Sequence, residues 1–77
     1  MSIATTLKDA PIGARCMVCS IDEQLAVKNR LIEMGFFSGS YVDKLYTGPF
    51  GSPIAFRVGG AIIAVRSDDA DKITAKI

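Results

Sequence analysis

Two cysteines at C-x-x-C spacing, Cys16-Met17-Val18-Cys19, carry the plainest chemical potential in this chain of 77 residues. On a loop, such a pair chelates zinc or cycles as a disulfide. In an extended segment, residues three apart point to opposite faces, so both thiols would have to leave that geometry to meet. The chain has no histidine and no further cysteine to complete a set of four ligands. The residues therefore predict buried, unbonded thiols that behave as small apolar side chains, with Cys16 and Cys19 as the metal candidates the sequence offers. A cytoplasm would keep them reduced. Lack of histidine also removes the commonest general base, and no catalytic set is visible. Asp68, Asp69 and Asp71 form the one like-charge cluster. They follow Ser67, a good helix N-cap, so their expected role is to meet the dipole of a first helical turn rather than a hard metal. Gly48-Pro49-Phe50-Gly51-Ser52-Pro53 is glycine-rich but has no lysine followed by serine or threonine, which argues against a phosphate cradle. It reads as a stiff, exposed loop, either a merely rigid hairpin tip or a binding loop whose Phe50 ring would suit a partner's pocket.

The elements that must position these groups are short. Nine basic residues against eight acidic ones give a net charge of +1, and they are scattered. A nucleic-acid reader would show a basic stripe with interleaved aromatics. The longest apolar run, Ala61 to Val65, is too short to span a bilayer, and the amino terminus shows no apolar signal region. One domain over residues 1–77, in the cytoplasm, is the expectation.

The best-marked feature is a helix end. Leu31 and Met34 share a helical face with Val27, and Gly35 follows as the residue able to close a helix in a left-handed conformation. Phe36 falls where such an ending folds an apolar side chain back onto Leu31, which leaves the adjacent Phe37 facing outward. Ser38-Gly39-Ser40 supplies a second turn. Ser20-Ile21-Asp22-Glu23 matches a capping box and predicts that this helix starts there and runs to Met34. Leu25 and Ile32, with Ile21 just ahead, form a second apolar line on it.

Upstream, Pro11 and Gly13 bracket a turn, and Leu7 is placed to plug one end of a core. Ala14 to Ser20 alternates as a first strand, with Cys16 and Val18 on one face and Met17 and Cys19 on the other. Ser40 to Thr47 is a second strand that needs a bulge, because Val42 and Leu45 cannot otherwise share a face while Lys44 intrudes. Ile54, Phe56 and Val58 alternate with Ala55 and Arg57. Gly59-Gly60 makes a two-residue hairpin to a returning strand, Ala61 to Arg66. Ser67 to Lys72 gives one capped turn before a last strand from Thr74 to Ile77, with Ile73, Ala75 and Ile77 inward. Arg66 is placed to pair with an acid of that turn, and Arg30 with Glu33. The sum is a mainly β protein with one α-helix. It predicts a small, partly open β-barrel of the SH3-like kind, about five strands, with the helix after the first strand and the helical turn before the last.

Arg30-Leu31, Glu33-Met34-Gly35, Ser38-Gly39, Gly48-Pro49, Gly51, Pro53-Ile54, Arg66 and Ala70 resemble the R-L-x-E-M-G, P-G, A-P-L-G-D-P-I and L-R-x-x-x-A signatures of FeoA-type ferrous iron transport proteins. The order and spacing cover nearly the whole chain. Ser38 stands for the usual proline, Gly48 for alanine, Phe50 for leucine, Ser52 for aspartate and Val65 for leucine. Without the acid at position 52, contacts by that loop would be apolar or through its backbone. The resemblance implies an SH3-like barrel that works with the membrane transporter FeoB, which has a cytoplasmic G domain, in ferrous iron uptake. The chain is similar too to the C-terminal domain of DtxR-type repressors, but at this length a free-standing form is expected.

Together these readings predict a non-enzymatic module at the inner face of the membrane through its partner, itself not inserted and not binding nucleic acid. Phe37, Pro49, Phe50, Gly51 and Pro53 are its expected contacts. Arg30, Leu31, Met34, Gly35, Gly39 and Arg66 are its motif residues. No cofactor is required, and a carrier or sensor of ferrous iron or another transition metal is the alternative.

Overall fold

The computed structural model describes residues 3–77. Strand pairing dominates it. Six strands, β1 (Ala4–Thr6), β2 (Arg15–Ile21), β3 (Tyr41–Thr47), β4 (Ile54–Val58), β5 (Ala61–Val65) and β6 (Ile73–Lys76), form one sheet. Their order is β1-β6-β2-β3-β4-β5, and every pair is antiparallel. The ladder does not close, so β1 and β5 are its two edges. Two short helices, α1 (Lys28–Glu33) and α2 (Ser67–Ala70), complete it. None of the described helices is long and apolar enough to cross a membrane. The sixth strand, β1, is the element that the five-strand expectation lacks.

Bulges set which residues face the core. In β2, Cys16 and Val18 point inward and are fully buried. The pairing with β6 slips at Cys19, between Val18 and Ser20. That extra residue reverses the parity and turns Ile21 inward, where plain alternation would have put Ser20. The expected bulge in β3 occurs at Leu45, between Lys44 and Tyr46. Val42 is buried there and Leu45 half-buried.

The expected long helix is corrected to six residues. Ser20 and Ile21 belong to β2, where they pair with Thr74 and Ile73. The Asp22 N–H donates to the Lys72 carbonyl at 2.9 Å, which carries the strand pairing one step further. Asp22 Oδ1 then accepts the Gln24 N–H at 2.8 Å, and turns close at Leu25 and Lys28 before α1 starts. A side-chain turn at aspartate therefore replaces the capping box. The helix end is as expected. Gly35 has φ of +112°, its N–H donates to the Ile32 carbonyl, and the Phe36 N–H donates to the Leu31 carbonyl at 2.9 Å. These are the two hydrogen bonds of a Schellman ending. They swing Phe36 into the core, where its ring meets Phe56 edge to face, with centroids 5.7 Å apart.

Around that pair lie Leu7, Val18, Val42, Ile54 and Ile73, all fully buried. Gly59-Gly60 forms the two-residue hairpin, with Val58 opposite Ala61. At α2, Arg66 rather than Ser67 occupies the cap position, and Ser67 is the first helical residue. Its N–H donates to Ser52 Oγ at 3.2 Å. A loop side chain from 15 residues away thus serves the helix end, which the local Ser67 signal did not indicate. The last strand begins at Ile73, one residue earlier than expected, and buries Ile73 and Ala75.

Among the described residues Lys44 is the buried charge, only 4 % exposed. Its ammonium donates to the carbonyls of Lys8 and Ala10, each at 2.7 Å, and so pins the segment after β1 to β3. Burial lowers its pKa from 10.5, opposed by Cys16 and Asp9. As pH rises toward 10.5, the folded chain therefore sheds this proton before the unfolded chain does, and that contribution to stability grows. Lys44→Met keeps the stem but removes the donor, and is expected to cost about 1 to 3 kcal/mol at neutral pH. The difference from wild type should widen toward pH 10.5, as measured by urea unfolding. A flat difference would contradict this account.

Candidate functional site

Three exposed features qualify as a site. The first is the β3–β4 connection. Pro49–Gly51 forms a single 3-10 turn, and the Gly48 N–H donates to the Pro53 carbonyl at 2.8 Å, closing the loop at its base. Phe50 stands at the tip, 106 % exposed, with φ of +60° and ψ of +23°. A non-glycine residue there carries left-handed strain of about 1 to 2 kcal/mol. Pro49, Gly51 and Pro53 are exposed around it. At position 52, where the signature carries an acid, Ser52 Oγ instead accepts the first N–H of α2.

The second feature is Phe37, 52 % exposed. It stands between two depressions of about 430 and 250 Å³, one reaching Tyr41, Val58 and Gly59, the other Cys19, Ile32 and Lys28. Phe37 and the Phe50 loop were expected to act together. They do not form one patch. Phe37 lies by Val58, while the Phe50 loop leads into Ile54, the opposite end of β4, roughly 13 Å of strand away.

The third feature is a groove of about 660 Å³ between the segment from Leu25 to Met34, the strand β5 and the start of α2. Arg30 and Arg66, read from sequence as motif residues with local ion-pair partners, both line it. Those pairs do not form. Among the described residues the ion pairs are Arg15 with Asp43 at 3.0 Å and Lys28 with Glu23. The Arg15 hydrogen bond also holds the Asp43 carboxyl below its usual range. No signal in the sequence joined Arg30 to Arg66, since they line one groove only when β5 folds beside α1. Leu31 is buried, Met34 half-buried, and Gly39 takes φ of +91° in its turn.

Cys16 and Cys19 are free. Cys16 is buried, and desolvation pushes its thiol pKa up. Cys19 is half-buried at the bulge on the other side of β2. Among the described residues no three His, Cys, Asp or Glu side chains converge.

The family model for the FeoA domain matches residues 5–77. No curated protein sequence matches the chain. Among solved structures, the FeoA protein of Chlorobium tepidum is 30% identical with a TM-score of 0.87, covering 95% of this chain and 70% of that one. The zinc-complexed FeoA of Stenotrophomonas maltophilia, described as a prokaryotic SH3 domain protein, is 29% identical with a TM-score of 0.80, covering 92% and 88%. A manganese-dependent transcriptional repressor shares the fold at 19% identity and a TM-score of 0.82, with 96% of this chain matching 41% of that one.

Proposed function

Because this chain belongs to the FeoA family, we propose that it is a non-catalytic accessory protein of ferrous iron uptake that binds the cytoplasmic part of a FeoB-type membrane transporter. The Stenotrophomonas maltophilia relative, suggested to act as a ferrous iron transport activating factor, supports the pathway. The absence of histidine supports a binding role over acid–base chemistry. Such a protein works in the cytoplasm and reaches the membrane through its partner.

The observation that carries the reading is Phe50. A large ring kept wholly in solvent, on a backbone position that strains every residue but glycine, costs stability and contributes none through burial. Insertion into a partner's pocket accounts for both, since aromatic anchors dominate binding energy. Phe50→Gly is expected to stabilise the free protein by about 1 kcal/mol by removing the strain. The same change, like Phe50→Glu, is expected to weaken binding to the transporter's soluble domain by more than about tenfold, a loss of at least 1.4 kcal/mol. Calorimetric titration and thermal melts measure the two effects. Unchanged affinity in both variants would remove the loop from the interface.

A further inference from the structure

We propose that the open edge of β5 and the facing α1 segment form a docking groove for an extended, carboxylate-bearing peptide segment of a partner protein, which adds to the sheet as a further strand. The proposal does not depend on the transporter or on Phe50.

Backbone chemistry supplies the first argument. Across the Gly59-Gly60 hairpin, Val58 faces Ala61, Phe56 faces Ile63 and Ile54 faces Val65. With a two-residue turn these are the pairs that exchange hydrogen bonds, so the N–H and C=O groups of Ile62 and Ala64 point away from β4. No backbone hydrogen bond joins either residue to a segment beyond β4 among the described residues. These groups open into the groove, which Ile62 to Arg66 line without interruption.

Side chains supply the second. Edges of sheets are normally blunted by charge, proline, a bulge or shortness. The other edge, β1, is blunted by its three-residue length. β5 reads Ala-Ile-Ile-Ala-Val, pairs with β4 without a bulge and leaves Ile62 55 % exposed. An edge so unprotected is a template for another strand, and the groove volume of about 660 Å³ falls within the range of ligand pockets.

Charge selects the occupant. Arg30 and Arg66 line the groove, and neither is within ion-pair distance of a carboxylate among the described residues. With Asp69 as the acid on the same lining, two cations against one anion leave a net +1. A second copy of this chain would bring the same arginines and its own α1 segment into the space, so a foreign segment with carboxylates fits better.

The test uses the full chain and a labelled synthetic peptide, Glu-Val-Thr-Val-Thr-Val-Glu, blocked at both ends, against one with lysines in place of both glutamates. Saturable binding of the glutamate peptide is expected, about tenfold tighter than the lysine peptide at low salt. Hydrogen exchange at the Ile62 and Ala64 amides, fast in the free protein, should slow about tenfold or more at saturation. Arg30→Glu with Arg66→Glu, both exposed positions, should reverse the preference. Ala64→Pro, which removes one outward N–H at an edge that tolerates it, should abolish binding with the melt retained. Absence of saturable binding overturns the proposal. So does binding without protection at Ile62 and Ala64, a preference unchanged by the double variant, or a folded Ala64→Pro protein that binds as wild type.

Discussion

Phe36→Ala is expected to destabilise the protein by about 3 to 5 kcal/mol, the cost of emptying a fully buried aromatic site. For a chain of 77 residues, total stability is on the order of 4 to 12 kcal/mol, so the variant should be largely unfolded near its ordinary melting temperature. The loss has two sources. One is the edge-to-face contact with Phe56 at 5.7 Å, which joins the helix end to β4. The other is the hold on α1. Six residues are far too few to form a helix alone, so α1 persists only because Leu31 and Phe36 anchor it to the core. Phe36→Leu grades the effect, at about 1 to 2 kcal/mol, and a cycle with Phe56→Leu should return a coupling of roughly 0.5 to 1.5 kcal/mol. Urea unfolding followed by circular dichroism measures both. A Phe36→Ala cost below about 1 kcal/mol would mean that this core repacks freely.

What the sequence disclosed and what it withheld divide along the range of the forces involved. The Gly35 stop was legible because its cause is local, a glycine followed by an apolar residue whose N–H reaches back five positions. The Gly59-Gly60 hairpin and the inward Ile54 and Phe56 were legible for the same reason. The start of the helix was not. Ser20 to Glu23 satisfies a capping box, but Ser20 and Ile21 find partners in β6, more than fifty residues on, and the bulge at Cys19 lets Ile21 be buried there. A continuous ladder outweighs a helix terminus worth about 1 kcal/mol. β1 was missed because Ala4-Thr5-Thr6 has no apolar alternation and exists only through its pairing with β6.

The candidate site follows the same division. Exposure of Phe37 and Phe50 could be read from their neighbours, while their separation at opposite ends of β4 could not. The groove is assembled from three distant segments, so Arg30 and Arg66 looked like members of local ion pairs. In the fold both line the groove, and neither is paired with Glu33 or an acid of α2.

Gly35→Ala is the substitution that tests whether the helix end governs both stability and the groove. The position has φ of +112°, which side chains rarely adopt, and an added Cβ would lie 2.4 Å from Cγ1 of Val58. Val58 is short and β-branched, with no flexible tip to swing aside, so either the helix end or β4 has to move. Left-handed strain of about 1 to 2 kcal/mol and overpacking of about 1 to 3 kcal/mol together give an expected loss of roughly 2 to 4 kcal/mol. For a domain of this size that lowers the melting temperature by roughly 10 to 30 °C. The two causes separate in the Gly35→Ala, Val58→Ala double variant, which removes the clash and keeps the strain. Its cost should fall short of the sum of the single changes by about 1 kcal/mol or more. Because Arg30, Leu31 and Met34 form the helical wall of the groove, displacement of this helix end should also weaken capture of the glutamate peptide, while binding through Phe50 at the far end of β4 is retained. A Gly35→Ala protein with wild-type stability would mean that the left-handed ending is not what closes α1.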